Sequence, residues 1–364
     1  MTVSTIMHAV ATLFAATIAA VMVAAARPPA TIAAAPPPPV VVVSINTSTP
    51  AIGTYPSPRL TSATLDTYNI MEAPGNGRPI NFSDPTLLAR TRRLAPAVLR
   101  VGGASQRSYP FNATTFVRLL RFCEAVGSAE LVYGLHDSDN YTAVLEASVA
   151  AGSPALLGFS IGNEGVPGST ADFKRLRSVV DAAWTSSSTP NDPRPPKPLV
   201  VGPDVPAVRW NGPGGYLPAG NYYHKIFAEF LTGGAADAVD AVSWHHYSFH
   251  PGDVAPASLK NLDHLRRMWN ASYLGDVAAA ARAVRNMTRA LVANATTRAR
   301  LLANTWLTEE NSVCDGGASG VSDRWANAPF LLNALGRAAL AGVPVVATQE
   351  LVGVDPDMPV NFSR

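Results

Sequence analysis

The strongest constraint on the fold is an alternation of short apolar runs with longer segments of helical periodicity. Eight runs can be read: residues 40–45 (VVVVSI), 97–103 (AVLRVGG), 130–135 (ELVYGL), 156–162 (LLGFSIG), 199–204 (LVVGPD), 241–247 (AVSWHHY), 305–310 (TWLTEE) and 343–349 (VPVVATQ). Runs of this length and composition suit strands buried on both faces, as in a parallel sheet. Between them, residues 116–126 set Phe116, Leu119, Leu120 and Cys123 at helical spacings of three and four, and 171–184 and 321–340 read as further helices. Eight strands with helices between them predict an α/β chain folded as a (β/α)8 TIM barrel. The length of 364 residues, 47% of them hydrophobic, is enough for the core that such a barrel requires.

The segments outside the alternation have their own compositions. Residues 1–26 contain no Lys, Arg, Asp or Glu, and an apolar stretch from Val10 to Val23 leads into Ala24, Ala25 and Ala26, which reads as a signal peptide. Residues 27–39, RPPATIAAAPPPP, form a Pro/Ala-rich spacer; the barrel is expected over 40–352, with a C-terminal tail at 353–364. Eight Asn-x-Ser/Thr sequons, at Asn46, Asn81, Asn112, Asn140, Asn270, Asn286, Asn294 and Asn361, fit a secreted glycoprotein. A lysosome-like compartment and a membrane-anchored form are the alternatives, and the only route to a membrane is an uncleaved signal segment. The 28 basic residues against 26 acidic ones leave a net charge of +2, so no polycationic face for nucleic acid is expected. Two cysteines are too few for a disulfide framework.

Two glutamates stand where barrel strands end. Glu164 closes LLGFSIGNE and Glu309 follows NTWLT, so strand counting puts them on strands four and seven, facing one mouth. A pair of carboxylates so placed points to glycoside hydrolysis, and retaining enzymes hold the two groups about 5–5.5 Å apart. Asn163 can offer its amide to a sugar hydroxyl, Tyr247 its hydroxyl to a carboxylate, and His245 or His246 can line the cleft. Alternation along a strand selects one glutamate of the adjacent pair: with Glu309 inward, Glu310 is structural. Read singly, a glutamate after an apolar strand is more often a helix N-terminal or salt-bridged residue, and WHHYS reads as a core aromatic cluster. No HExxH motif is present, and DGGASG (315–320) lacks the Lys-Ser/Thr of a phosphate loop, so neither metal nor other cofactor is expected.

Several segments together resemble the heparanase family of retaining β-glucuronidases: LARTRRLAPAVLRVGGA (88–104), GFSIGNE (158–164), VVGPDV (200–205), VDAVSWHHYS (239–248) and WLTEENSVCDGG (306–317). The resemblance implies Glu164 as acid/base and Glu309 as nucleophile. It further implies that Gly316 and Gly317 present backbone N–H groups to a sugar carboxylate, and that Gln349, Arg100, Gly102 and Gly103 occupy family positions near the mouth. The implied activity is endo- or exo-β-glucuronidase action on glycosaminoglycan or proteoglycan-type glycans of the extracellular matrix, with Glu164 holding a raised pKa. Relatives carry a C-terminal β-sandwich that is not apparent after strand eight. Four departures from the family pattern are visible: Gly165 after the acid/base, Asp315 beside the sugar-carboxylate loop, Asn46 in place of an Asp ending strand one, and the absence of heparin-type basic clusters, with only Arg209 in the loop after strand five. They keep open an alternative, a catalytically impaired carbohydrate-binding or interaction protein built on the same barrel.

Overall fold

The computed structural model describes residues 57–71, 79–164, 166–185, 196–207, 216–217, 219–249, 270–314 and 327–351. Besides a two-residue strand, Val166–Pro167, that folds back on β4, the described residues form eight strands in chain order: β1 Thr61–Asp66, β2 Val98–Gly102, β3 Glu130–Leu135, β4 Leu156–Asn163, β5 Leu199–Pro206, β6 Ala241–Phe249, β7 Thr305–Val313 and β8 Val346–Thr348. Each pairs in parallel with the next, and β8 pairs with β1, so the sheet closes on itself as a (β/α)8 barrel. Closure removes the unpaired edges of an open sheet.

Helices α1 Pro85–Leu94, α2 Ala113–Val126, α3 Tyr141–Ala151, α4 Thr170–Thr185 and α5 Tyr222–Thr232 each follow one strand. Two, α6 Asp276–Leu291 and α7 Ala295–Ala303, lie between β6 and β7, and α8 Asn327–Leu340 precedes β8. Among the described residues no helix is long and apolar enough to cross a membrane.

Seven of the eight expected strands coincide with observed ones. The exception is the first: residues 40–45 lie outside the described residues, and the barrel's first strand is Thr61–Asp66, TSATLD. Leu65 is its one large apolar side chain. Between β2 and β8, the small residues Ser62, Ala63 and Thr64 are buried all the same. Small side chains satisfy that position, so no apolar run marks it. The signal segment, spacer, tail and the start of the expected barrel also lie outside the described residues, as do Asn46, Gly165, Arg209, Asp315, Gly316 and Gly317.

The core has two layers. Between strands and helices pack Phe116, Phe159, Phe173 and Phe227, all fully buried. Inside the barrel, Val98, Val132, Leu157, Val201, Ala241, Trp306 and Val345 form a separate plug near the strand starts. Above that plug, toward the strand ends, the interior turns polar.

Two bulges set which polar groups point inward. On β5, three steps from Gly202 to Val205 face two steps on β6 from Val242 to Trp244; on β7, two steps from Leu307 to Glu309 face one on β6, from Trp244 to His245. An extra residue reverses the phase of alternation beyond it. Trp306 lies in the interior plug and Leu307 in the helix-side layer. Unbroken alternation from there would turn Glu310 inward. The bulge at Thr308 turns Glu309 inward instead.

Candidate active site

Arg100 organises the polar interior. From β2, 1% exposed, it donates through Nη1 to Glu309 Oε1 at 2.6 Å, and through Nη2 to Asp204 Oδ2 at 2.7 Å and Asn163 Oδ1 at 3.2 Å. One guanidinium thus ties β2 to β4, β5 and β7. Burial lowers its pKa, but the charges of Asp204 and Glu309 outweigh that and raise it. Charge-assisted pairing from both ends of the guanidinium fixes orientation as well as charge.

Asp204 occupies the β5 bulge in a left-handed conformation, φ +55°. Its Oδ1 accepts from Thr308 Oγ1 at 2.6 Å, and its backbone N–H donates to Ser243 Oγ at 3.0 Å. Burial pushes the carboxyl up, and Arg100 beside it then holds it well below the usual carboxylate range. Its carbonyl accepts the backbone N–H of Glu164 at 2.8 Å, so the β5 bulge helps seat Glu164.

Glu164 leaves β4 at a reversal where Asn163 pairs with Val166, and it too is left-handed, φ +46°. A non-glycine residue held there stores about 1–3 kcal/mol of backbone strain. Its side chain is 36% exposed, and Oε1 lies 3.1 Å from His245 Nδ1. Glu309, by contrast, is buried: Tyr247 donates its hydroxyl to Oε2 at 2.8 Å, while Arg100 holds Oε1. A carboxylate oxygen of each glutamate and a ring nitrogen of His245 all lie within 4.8 Å of one another.

His245, 0% exposed, sits behind both. Its Nδ1 is 3.4 Å from Glu309 Oε2, and its Nε2 is 3.6 Å from Asp204 Oδ1, an ion-pair distance rather than a hydrogen bond. Burial lowers the imidazole pKa, but the charge of Glu309 with Asp204 and Glu164 pushes it up to about 9. The charged form of the ring is thereby favoured beside the two carboxylates, and Arg100 offsets the charge of Glu309.

The same contacts correct the expected raised pKa of Glu164. Burial does push it up, but the hydrogen bond and charge of His245, with Arg100, more than offset this and leave it below the ordinary value. Tyr247 moves the other way: burial, then the charges of Glu309 and Glu164, raise it well above the ordinary phenol, so it remains a donor.

The remaining expected residues divide. Asn163 is buried in the cluster with its oxygen on Arg100, which turns its NH2 away from that partner. His246 is not in the cluster: it points to the other side of β6, 1% exposed, with Nδ1 2.9 Å from Glu310 Oε2 and its ring against Trp244 and Tyr216. Alternation accounts for both the separation and the partner, since Glu310 is turned outward by the same rule. Gln349, after β8, keeps its N–H on Glu310 O at 3.0 Å, and its buried Oε1 has no partner among the described residues.

Three further acidic or amide groups belong to the mouth and were not singled out in the sequence. Asp66 ends β1, and Glu350 follows Gln349. Glu350 Oε1 accepts from Asp66 N–H at 2.5 Å and Asn69 Nδ2 at 2.8 Å, with Asn69 also reaching Oε2 at 2.8 Å. Strand one therefore ends in an acid, so the Asn46 departure disappears once β1 is set at Thr61–Asp66. The signal for Asp66 was its place at the end of SATLD, masked by the stronger valine run upstream.

Fold and site together define a (β/α)8 barrel with two facing glutamates at its mouth. No family model matches the chain, and no curated relative matches it. Among solved structures, a family 51 α-L-arabinofuranosidase from Bifidobacterium longum is similar at 15% identity, covering 81% of this chain and 67% of that one, with a TM-score of 0.46. A family 51 arabinofuranosidase from Xanthomonas axonopodis pv. citri stands at 11%, 81%, 67% and 0.49, and an engineered protein at 10%, 79%, 63% and 0.41. At such values the likeness carries nothing about activity; the fold assignment rests on the strand pairing itself.

Proposed function

We propose that the protein is a retaining glycosidase, with Glu309 as nucleophile and Glu164 as general acid and base. The observation that carries this reading is the separation of the two carboxylates. Oxygens within 4.8 Å suit direct attack on the anomeric carbon, whereas inversion needs about 6.5–9.5 Å to admit a water. Glu309 is buried, ionically paired and aimed by Tyr247, as a nucleophile requires. Glu164 is the more exposed of the two, where a leaving group would depart. The heparanase-like segments favour a β-glucuronide in a polysaccharide or proteoglycan glycan as the substrate, and secretion as its setting.

One observation favours the rival reading, a carbohydrate-binding protein with impaired catalysis: His245 holds Glu164 ionised, although an acid catalyst must carry a proton. A β-glucuronide probe of the cyclophellitol type separates the two. The expected result is covalent labelling of Glu309, lost in Glu309→Gln and kept in Glu310→Gln. Labelling by a neutral-sugar cyclophellitol alone would keep the retaining mechanism and change the sugar. No labelling by either, with no hydrolysis of aryl β-glycosides from about pH 4 to 7, would leave the binding reading.

A further inference from the structure

We propose that His245 is the proton store of the reaction: it hands a proton to Glu164 as the glycosidic bond breaks and recovers it when the intermediate is hydrolysed. This rests on the roles assigned above to Glu164 and Glu309.

The geometry is that of a relay. A single ring nitrogen, Nδ1, faces both glutamates, 3.1 Å from Glu164 Oε1 and 3.4 Å from Glu309 Oε2. His245 is wholly buried while Glu164 reaches the cleft, so a proton on the imidazole is shielded from solvent and one hydrogen bond from the catalytic oxygen. Among the described residues, three acidic groups face the ring. Glu164 comes from the end of β4, Asp204 from β5 and Glu309 from β7. Arg100 of β2 binds the latter two, and Tyr247 on the same strand stays neutral.

The steps balance. In the free protein His245 is an imidazolium and both glutamates are carboxylates. Substrate covers Glu164 and removes its water, which favours its neutral form. As Glu309 attacks the anomeric carbon, the Nδ1 proton moves to Glu164 Oε1, the carbon–oxygen bond to the leaving group breaks, and that oxygen takes the proton from Glu164. An ester on Glu309 now stands where a negative charge stood. Because that charge is the largest influence raising the imidazole pKa, the imidazole gives up its proton most readily as Glu309 is consumed. In the second half, Glu164 removes a proton from water, the water oxygen displaces Glu309 from the anomeric carbon, and the regenerated carboxylate draws the proton back to His245.

Two measurements on the full chain test this. With 15N-histidine labelling, His245 should be protonated at neutral pH in the free protein. Its titration should fall toward the ordinary histidine range once the β-glucuronide cyclophellitol probe has esterified Glu309. An unchanged titration, or a neutral ring in the free protein, would overturn the relay. In kinetics, His245→Asn should lower kcat/KM about 10²–10⁴-fold on phenyl β-glucuronide, the range of general acid catalysis. On the 2,4-dinitrophenyl glycoside, whose leaving group needs no proton, the loss should stay under about tenfold. The alkaline limb on the phenyl substrate should also move to lower pH. Equal losses on both substrates would make His245 a brace only. Should the variant fail to fold, the titration alone decides. Failure of both the β-glucuronide and the neutral-sugar cyclophellitol to label Glu309, with His245 protonated in the free protein, would sink the retaining reading, and the relay with it.

Discussion

Glu350 is a buried carboxyl that makes stability depend on pH. It is 3% exposed, and burial, reinforced by the charges of Asp66 and Glu309, pushes its pKa to about 8 despite the hydrogen bonds from Asn69 and Asp66. An unfolded chain binds that proton only up to about pH 4.3. The folded state therefore holds an extra proton between these values, and the associated stability, complete at low pH, is lost as pH rises toward 8. Glu350→Gln keeps an acceptor for Asp66 and Asn69 but cannot ionise. Its melting temperature relative to the parent should be level near pH 4 and climb by several degrees, at about 2–4 °C per kcal/mol, by pH 8. Parallel curves across that range would refute the buried-proton account. Residues of this kind escape sequence reading, because nothing about Glu350 in ATQEL distinguishes it from a surface glutamate.

Elements were more legible than residues, and their irregularities least of all. The β7 bulge at Thr308 has no marker in TWLTEE, whereas the β5 bulge at Asp204 does: Gly202 and Pro203 interrupt an otherwise regular strand. The sequons carry a second meaning at this scale. Asn112, Asn140 and Asn294 are the N-caps of α2, α3 and α7, each accepting a backbone N–H from the residue three positions on, a reason for those asparagines independent of any glycan. Arginines serve the opposite ends. Arg92 donates to Ala125 O of α2, Arg285 to Leu302 O of α7 and Arg298 to Val292 O just after α6, so these three guanidiniums satisfy carbonyls at helix C-termini. Strand packing yields a prediction. A Cβ on Gly158 of β4 would lie 2.5 Å from the carbonyl oxygen of Leu199 on β5. Backbone cannot rotate away, so Gly158→Ala should destabilise by about 2 kcal/mol or more, read as a lower midpoint in urea; an unchanged midpoint would mean the β4–β5 seam can open.

For the whole molecule, the polar interior is held by one cation. Arg100 joins four of the eight strands, and Asp204, Glu309 and Asn163 all accept from it. Arg100→Leu would strand two buried carboxylates, a loss of about 3–5 kcal/mol, with unfolding at correspondingly lower denaturant. The pairing also has an acid limit. Asp204 is held below its unfolded value near 3.9, so the stability it contributes is complete above that value and disappears as pH falls further. Acid titration of Asp204→Asn should show a shallower loss below about pH 4 than the parent. A stable, normally folded Arg100→Leu protein would show that the strands need no ionic centre.

The alternation of apolar runs and helical segments determined the barrel. Because strand order in a parallel barrel follows chain order, it also determined that Glu164 and Glu309 share a mouth. Local pattern suffices for that, since burial on both faces is written into each run. Tertiary structure alone decided the rest. It chose TSATLD over the valine run as β1, because a strand flanked by neighbours can be buried with small residues. It turned Glu309 rather than Glu310 inward, because a single extra residue at Thr308 reverses the pleat. And it raised the pKa of His245 while lowering that of Glu164, because only the folded barrel gathers Glu164, Glu309 and Asp204 around one imidazole.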